Sequence, residues 1–141
     1  MLEENSLGYL LFLVSRGHHN LASRVFQQIG LHRGQPQVLF KLGRYEGITQ
    51  SELAQKLELT QATLTNLLHR METSGLITRV RDTSDARCTR LYLTGDGKKM
   101  LARALEKRKV MDDTAFAGFS SEEMNILSGY LQRIHTNLNR E

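Results

Sequence analysis

The stretch from Thr49 to Leu93 constrains this chain most, because its start and stop signals leave room for few arrangements. Thr49-x-x-Glu52 reads as a capping box, in which the Thr49 hydroxyl accepts from the Glu52 backbone N–H and the Glu52 carboxylate reaches back to Thr49. Leu53, Ala54 and Leu57 give the short helix that follows its inward face. After the turn Glu58-Leu59, Thr60 caps a further helix over Gln61 to Ser74, and Gly75 suits its left-handed stop. Beyond Gly75 the period changes. Leu76 to Arg81 and Cys88 to Leu93 are short, near-alternating segments, β-branched or apolar, that flank the polar loop Asp82-Thr83-Ser84-Asp85-Ala86-Arg87. That pattern predicts a hairpin with a loop longer than a tight turn. Two short helices joined by a tight turn and followed by a hairpin make a winged helix-turn-helix. A helix fits the major groove, the helix before it braces it, and a hairpin beside it reaches the flanking minor groove.

The rest of the chain reads as helical. Leu7, Leu11, Val14, His18, Leu21 and Val25 recur at steps of three and four, which predicts a first helix from about Asn5 to Gln28 with one apolar stripe. Gly30 and Gly34 bracket a break. Pro36, the chain's one proline, suits the first turn of a second helix carrying Val38, Leu39, Phe40 and Leu42, whose end Gly43 and Gly47 mark. Thr94 caps a long fifth helix to about Ala115. Ser120 and Glu123 repeat the capping-box pattern and open a sixth, with Leu127, Leu131, Ile134 and Leu138 along one face. The expected fold class is mainly α with a small β-hairpin (α+β), six helices in one fold spanning 1–141.

The helix from Gln61 has the side chains a DNA-reading element needs. At about 100° per residue, Leu64, Leu67, Leu68 and Met71 face inward while Ala62, Thr65, Asn66, His69, Arg70 and Thr73 face out. Asn66 suits an adenine edge, Arg70 a guanine edge or a phosphate, and Ala62 a thymine methyl; Gln61 and Thr63 flank them. Arg79, Arg81, Arg87 and Arg90 lie in the hairpin, opposed locally only by Asp82 and Asp85. Arg87, in the loop, suits the focused negative potential of a narrow minor groove, and Asp85 reads as the partner that orients an arginine. Two blander readings stand beside this one. A polar outer edge is common to surface helices, and a winged helix can serve protein contacts without operator specificity, though the wing arginines then have no task.

Several segments resemble MarR-type regulators, the multiple-antibiotic-resistance repressor family. They are Ile48-Thr49-Gln50-Ser51-Glu52-Leu53-Ala54, Thr60-Gln61-Ala62-Thr63-Leu64-Thr65 and Met71-Glu72-Thr73-Ser74-Gly75-Leu76-Ile77. Asp85-Ala86-Arg87 is similar to the family's Asp-x-Arg in the wing, and Leu93-Thr94-Gly95-Asp96-Gly97 to its Leu-Thr-x-x-Gly. The resemblance implies a homodimer built by the first, fifth and sixth helices, bound to a pseudo-palindromic operator in double-stranded DNA, usually as a repressor. On that footing 36–94 is the winged helix-turn-helix region, and 5–30 with 95–139 the helical dimerisation region. Two positions depart from many relatives: Glu58 stands in place of glycine in the turn, and Asn66 in place of arginine. Long amphipathic helices at both ends point to dimerisation independently, since they carry more apolar stripe than one winged helix covers.

Composition narrows the rest. Lys and Arg total 19 against 15 Asp and Glu, a mild excess compatible with a polyanionic partner. One cysteine, Cys88, excludes an intramolecular disulfide and fits a reducing cytoplasm. The acidic start Met1-Leu2-Glu3-Glu4 is unlike a signal leader, and no apolar run is long enough for a membrane span. A cytoplasmic protein without membrane contact is expected. No phosphate loop, nucleophile motif or paired carboxylates suggest an enzyme, and no cofactor is implied. The histidines His18, His19, His32, His69 and His135 are scattered without metal-ligand spacing, so no metal site is expected; His18, in the apolar stripe, reads as a core or dimer histidine. A second stripe on the first helix, Phe12, Arg16, His19, Ser23 and Phe26, combines aromatic walls with an arginine and a histidine, which suits a small aromatic acid or phenolic effector. Its plain alternative is buried phenylalanines beside solvated polar groups.

Overall fold

The computed structural model describes residues 4–140; the acidic start Met1–Glu3 and the last residue, Glu141, lie outside the described residues. The element order is α1 (Leu7–Gln27), α2 (Gln35–Arg44), α3 (Gln50–Leu57), α4 (Gln61–Thr73), β1 (Ile77–Arg81), β2 (Thr89–Leu93), α5 (Gly95–Ala115) and α6 (Ser121–Leu138). Hydroxyl side chains start all of these helices but α2. Ser6, Thr49, Thr60, Thr94 and Ser120 each accept from the backbone N–H three residues on, each worth about 1 kcal/mol. Ser120 and Glu123 form the complete capping box. At Thr49 only the hydroxyl half forms, and the Thr49 backbone instead pairs across to Arg90 as an isolated bridge. The N-cap of α2 is Gly34 at φ 85°, with Pro36 in the first turn.

Gly43 does not end α2. The helix continues to Arg44, and a Cβ at Gly43 would collide with Leu101 of α5, so the missing side chain lets the two helices approach closely. The left-handed turn falls at Gly47 instead. Glu58, φ 55°, is the one non-glycine residue with positive φ among the described residues. Its carboxylate lies 3.0 Å from His135 Nε2 of α6.

Val38, Leu39 and Leu42 of α2, Leu53 of α3, and Leu64, Leu68 and Met71 of α4 are fully buried, and Leu91 of β2 closes this core. Burial of each stabilises by about 1.5–3 kcal/mol. The antiparallel hairpin pairs Ile77 with Leu93 and Arg79 with Leu91. It is also tied to the α2–α3 link: the Gly47 N–H donates to Leu91 O at 3.0 Å, and the Leu91 N–H to Ile48 O at 2.9 Å. Helix α5 packs against α1 and α2. By contrast α6 buries no residue, and α1 buries only Val25 and Phe26, leaving Leu7 and Val14 of its apolar stripe 86% and 66% exposed. Among the described residues no helix is long and apolar enough to cross a membrane.

Candidate nucleic-acid interface

Burial divides α4 lengthwise. Leu64, Leu68 and Met71 are sealed and Leu67 is half-buried, while Ala62, Thr65, Asn66, His69, Arg70 and Thr73 are all exposed. No other part of the described chain covers that edge. Helix α3 braces it through side chains. Gln50 Nε2 donates to Thr65 Oγ1 at 2.8 Å, and Gln61 Nε2 donates to Ser51 Oγ at 3.2 Å. Thr63 Oγ1 accepts from the Thr60 hydroxyl at 2.9 Å. Gln61, Thr63 and Thr65 therefore use part of their bonding capacity inside the protein. The side chains of Asn66, His69 and Arg70 make no hydrogen bond among the described residues.

The four wing arginines divide two and two. Arg79 folds inward, with Nη1 donating to Gln50 Oε1 and Nε near Glu72 Oε2, both at 3.5 Å. That Nε is buried without hydrogen-bond geometry to any partner, so Glu72 holds it by charge alone. Arg90 donates through Nη1 to Gly47 O at 2.9 Å and through Nε and Nη2 to Asp82 Oδ2 at 3.3 and 3.2 Å. These two arginines, expected to face DNA, are engaged as struts between the wing and the helix pair. Arg81 and Arg87 remain outside, the Arg87 side chain 95% exposed. Asp85 Oδ1 accepts the Arg87 backbone N–H at 3.0 Å and lies 3.6 Å from Arg87 Nε. The Ser84 backbone N–H and hydroxyl, and then Arg90, hold the Asp82 carboxyl below its ordinary range. Neither Gln50, which joins Thr65 to Arg79, nor the Asp82–Arg90–Gly47 strut was legible from spacing.

Cys88 sits at the base of the wing loop with Sγ 3.6 Å from Asp85 Oδ2. Desolvation and then the Asp85 carboxylate raise its pKa, so less thiolate is present at neutral pH than in a free cysteine. Cys88 should alkylate with iodoacetamide at pH 7.5 several-fold more slowly than N-acetylcysteine, and Asp85→Asn should accelerate it; labelling as fast as the free thiol contradicts this.

A cavity of about 400 Å³ opens where the C-terminal half of α1 meets the α1–α2 loop and α2. Its walls include His18, His19, Ser23, Phe26, His32 and Arg33. From the expected effector stripe it takes His19, Ser23 and Phe26 but neither Phe12 nor Arg16. Phe12 lies toward the uncovered start of α1, stacked on Tyr9 at 6.4 Å between ring centroids. His18 is exposed on the cavity wall rather than in the core. Among the described residues no group of three His, Cys, Asp or Glu is placed to hold a metal ion.

A bracing helix, a helix with an exposed polar edge and an arginine-tipped wing, in that order and packing, define a winged helix-turn-helix transcriptional regulator. Residues 31–89 match the MarR family model. The organic hydroperoxide resistance transcriptional regulator of Bacillus subtilis (strain 168) is 35% identical over 109 residues, covering 77% of this chain and 70% of that one. The transcriptional repressor CouR, solved bound to a 23-mer DNA duplex, superposes with a TM-score of 0.87 at 26% identity, over 96% of this chain and 99% of that one. The S. aureus MepR–DNA complex gives 0.86 at 26% identity, over 94% and 98%. The chain belongs to the MarR family.

Proposed function

We propose that this regulator binds a pseudo-palindromic DNA operator as a homodimer, acts as a repressor, and is released by a small anionic aromatic effector. The observation that carries the reading is the exposed edge of α4, where Asn66, His69 and Arg70 stand with free hydrogen-bonding groups over a sealed apolar face. Asn66 and Arg70 read base edges, Ala62 meets a thymine methyl, and Gln61, Thr63 and Thr65 contact backbone or bases with what bonding capacity α3 and Thr60 leave them. Arg81 and Arg87 reach the flanking minor groove, while Arg79, Arg90 and Asp85 hold the wing in place. That CouR and MepR were solved bound to DNA supports duplex DNA as the partner.

A second copy supports itself on exposed apolar surface. Leu7, Leu11 and Val14 of α1, with Tyr130, Leu131 and Ile134 of α6, remain between 38% and 86% exposed, more than an isolated soluble chain leaves uncovered on two helices. For the effector, the α1–α2 cavity has the volume of a small-ligand site and joins Phe26 to histidines and an arginine. Benzoate-type acids should raise the unfolding temperature at millimolar concentration, and no shift would remove that part.

Fluorescence anisotropy with duplexes from the protein's own upstream DNA, alongside sedimentation, tests the whole. The expected result is one dimer per site, with affinity falling steeply from 50 to 200 mM salt, about 10³-fold or more for six or more neutralised phosphates. A protein that sediments as a monomer removes the homodimer, and one that ignores duplex even in dilute buffer is a winged-helix protein-contact module instead.

A further inference from the structure

The α1–α2 loop brings a second basic group onto the reading face. His32 and Arg33 line, with Thr63, Asn66 and Arg70 of α4, a concavity of about 160 Å³. Two features hold the loop in place. Gln35, 5% exposed, accepts the His32 backbone N–H through Oε1 at 3.0 Å. Gly34, left-handed at φ 85°, lies flat on α4, where an added Cβ would come 2.5 Å from Leu67 Cδ1. The loop is thereby pressed onto the recognition helix before any ligand arrives.

Arg33 and Arg70 differ in charge setting from three of the four wing arginines. Arg79, Arg87 and Arg90 each have a carboxylate within 3.6 Å. Neither Arg33 nor Arg70 has one within ion-pair reach among the described residues, and both are exposed. Two guanidiniums without a counter-charge, lining one concavity with Thr63 and Asn66, concentrate positive potential there. The complementary ligand is a tetrahedral oxyanion carrying several acceptors, which guanidinium forks match. A duplex presents such groups on either side of the groove that α4 enters, and backbone contacts of this kind set the register of a reading helix.

We propose that Arg33, seconded by His32, clamps a DNA backbone phosphate beside the groove entered by Asn66 and Arg70. The clamp positions α4 and carries no sequence information. This inference rests on the regulator reading above.

The test compares wild type, Arg33→Ala and Arg33→Lys on one bound duplex across a KCl series, with thermal unfolding as the folding control. Each neutralised phosphate contributes about 0.9 to the slope of log affinity against log salt. Arg33→Ala should bind about three- to tenfold more weakly at low salt and flatten the slope by about one unit per protomer, with base preference unchanged. Arg33→Lys, keeping the charge, should retain the slope. Wild-type affinity and slope in Arg33→Ala would overturn the clamp while leaving the regulator reading intact. So would stabilisation of wild type, but not of Arg33→Ala, by millimolar inorganic phosphate over matched chloride with the duplex slope unmoved, which assigns Arg33 to a free anion instead. A wild type that binds no duplex defeats the regulator reading, and the clamp with it.

Discussion

Gly97→Ala should lower the unfolding temperature by roughly 10 °C or more, about 3 kcal/mol at a few degrees per kcal/mol for a chain of this size. Helix propensity alone predicts the opposite sign, since alanine in a helix is favoured over glycine by about 1 kcal/mol. Packing reverses it. Gly97 is buried in the first turn of α5, where its N–H donates to Thr94 Oγ1 at 3.0 Å. A Cβ there would overlap the Leu76 carbonyl oxygen and press on Leu93 Cδ2 at 3.3 Å. The obstacle is backbone, not a flexible side-chain tip. That same carbonyl accepts the Thr94 N–H at 3.0 Å, so moving it aside breaks the bond that docks α5 on the base of the hairpin. Overpacking costs about 1–3 kcal/mol, and a buried bond left unmade adds about 1–3 kcal/mol more. Thermal unfolding followed by circular dichroism decides: a variant as stable as wild type would show that α5 is not seated as described.

Arg70→Ala should reduce operator affinity on the order of tenfold to a hundredfold and blur discrimination at one base pair in each half-site, with unfolding temperature and dimerisation unchanged. Arg70 is exposed and makes no internal ion pair among the described residues, so its removal leaves no buried group stranded. A bidentate base contact is worth about 1–3 kcal/mol of discrimination. Arg87→Ala provides the contrast. With its side chain 95% exposed at the wing tip, it should lose affinity and salt slope together while keeping base preference at the α4 contacts. Binding measured against a panel of single-base operator variants separates the two, and an Arg70→Ala protein with wild-type affinity would remove α4 as the reading element.

Which parts of this were readable in advance follows from the range of the forces involved. Each helix start at Thr49, Thr60, Thr94 and Ser120 depends on a hydroxyl meeting an N–H three residues on. That geometry is complete within one turn and needs no tertiary partner. The left-handed stop at Gly75, φ 79°, is local in the same sense. Element order, the hairpin and the inner and outer edges of α4 therefore follow from the linear chain.

Only packing decided what the arginines do. Arg79 and Arg90 are turned inward by Gln50 and Gly47, 29 and 43 positions away in the chain, whereas Arg81 and Arg87 stay exposed, Arg87 meeting only its loop neighbour Asp85. Packing also made Gly43 a contact with α5 rather than a helix end, shifted the cavity away from Phe12 and Arg16, and set Arg33 beside Arg70. A cap finds its partner one turn along the same helix, whereas a strut or a cavity wall draws its partners from different elements. Those meet only where burial of Leu39, Leu53, Leu64 and Leu91 in one core brings α2, α3, α4 and β2 together.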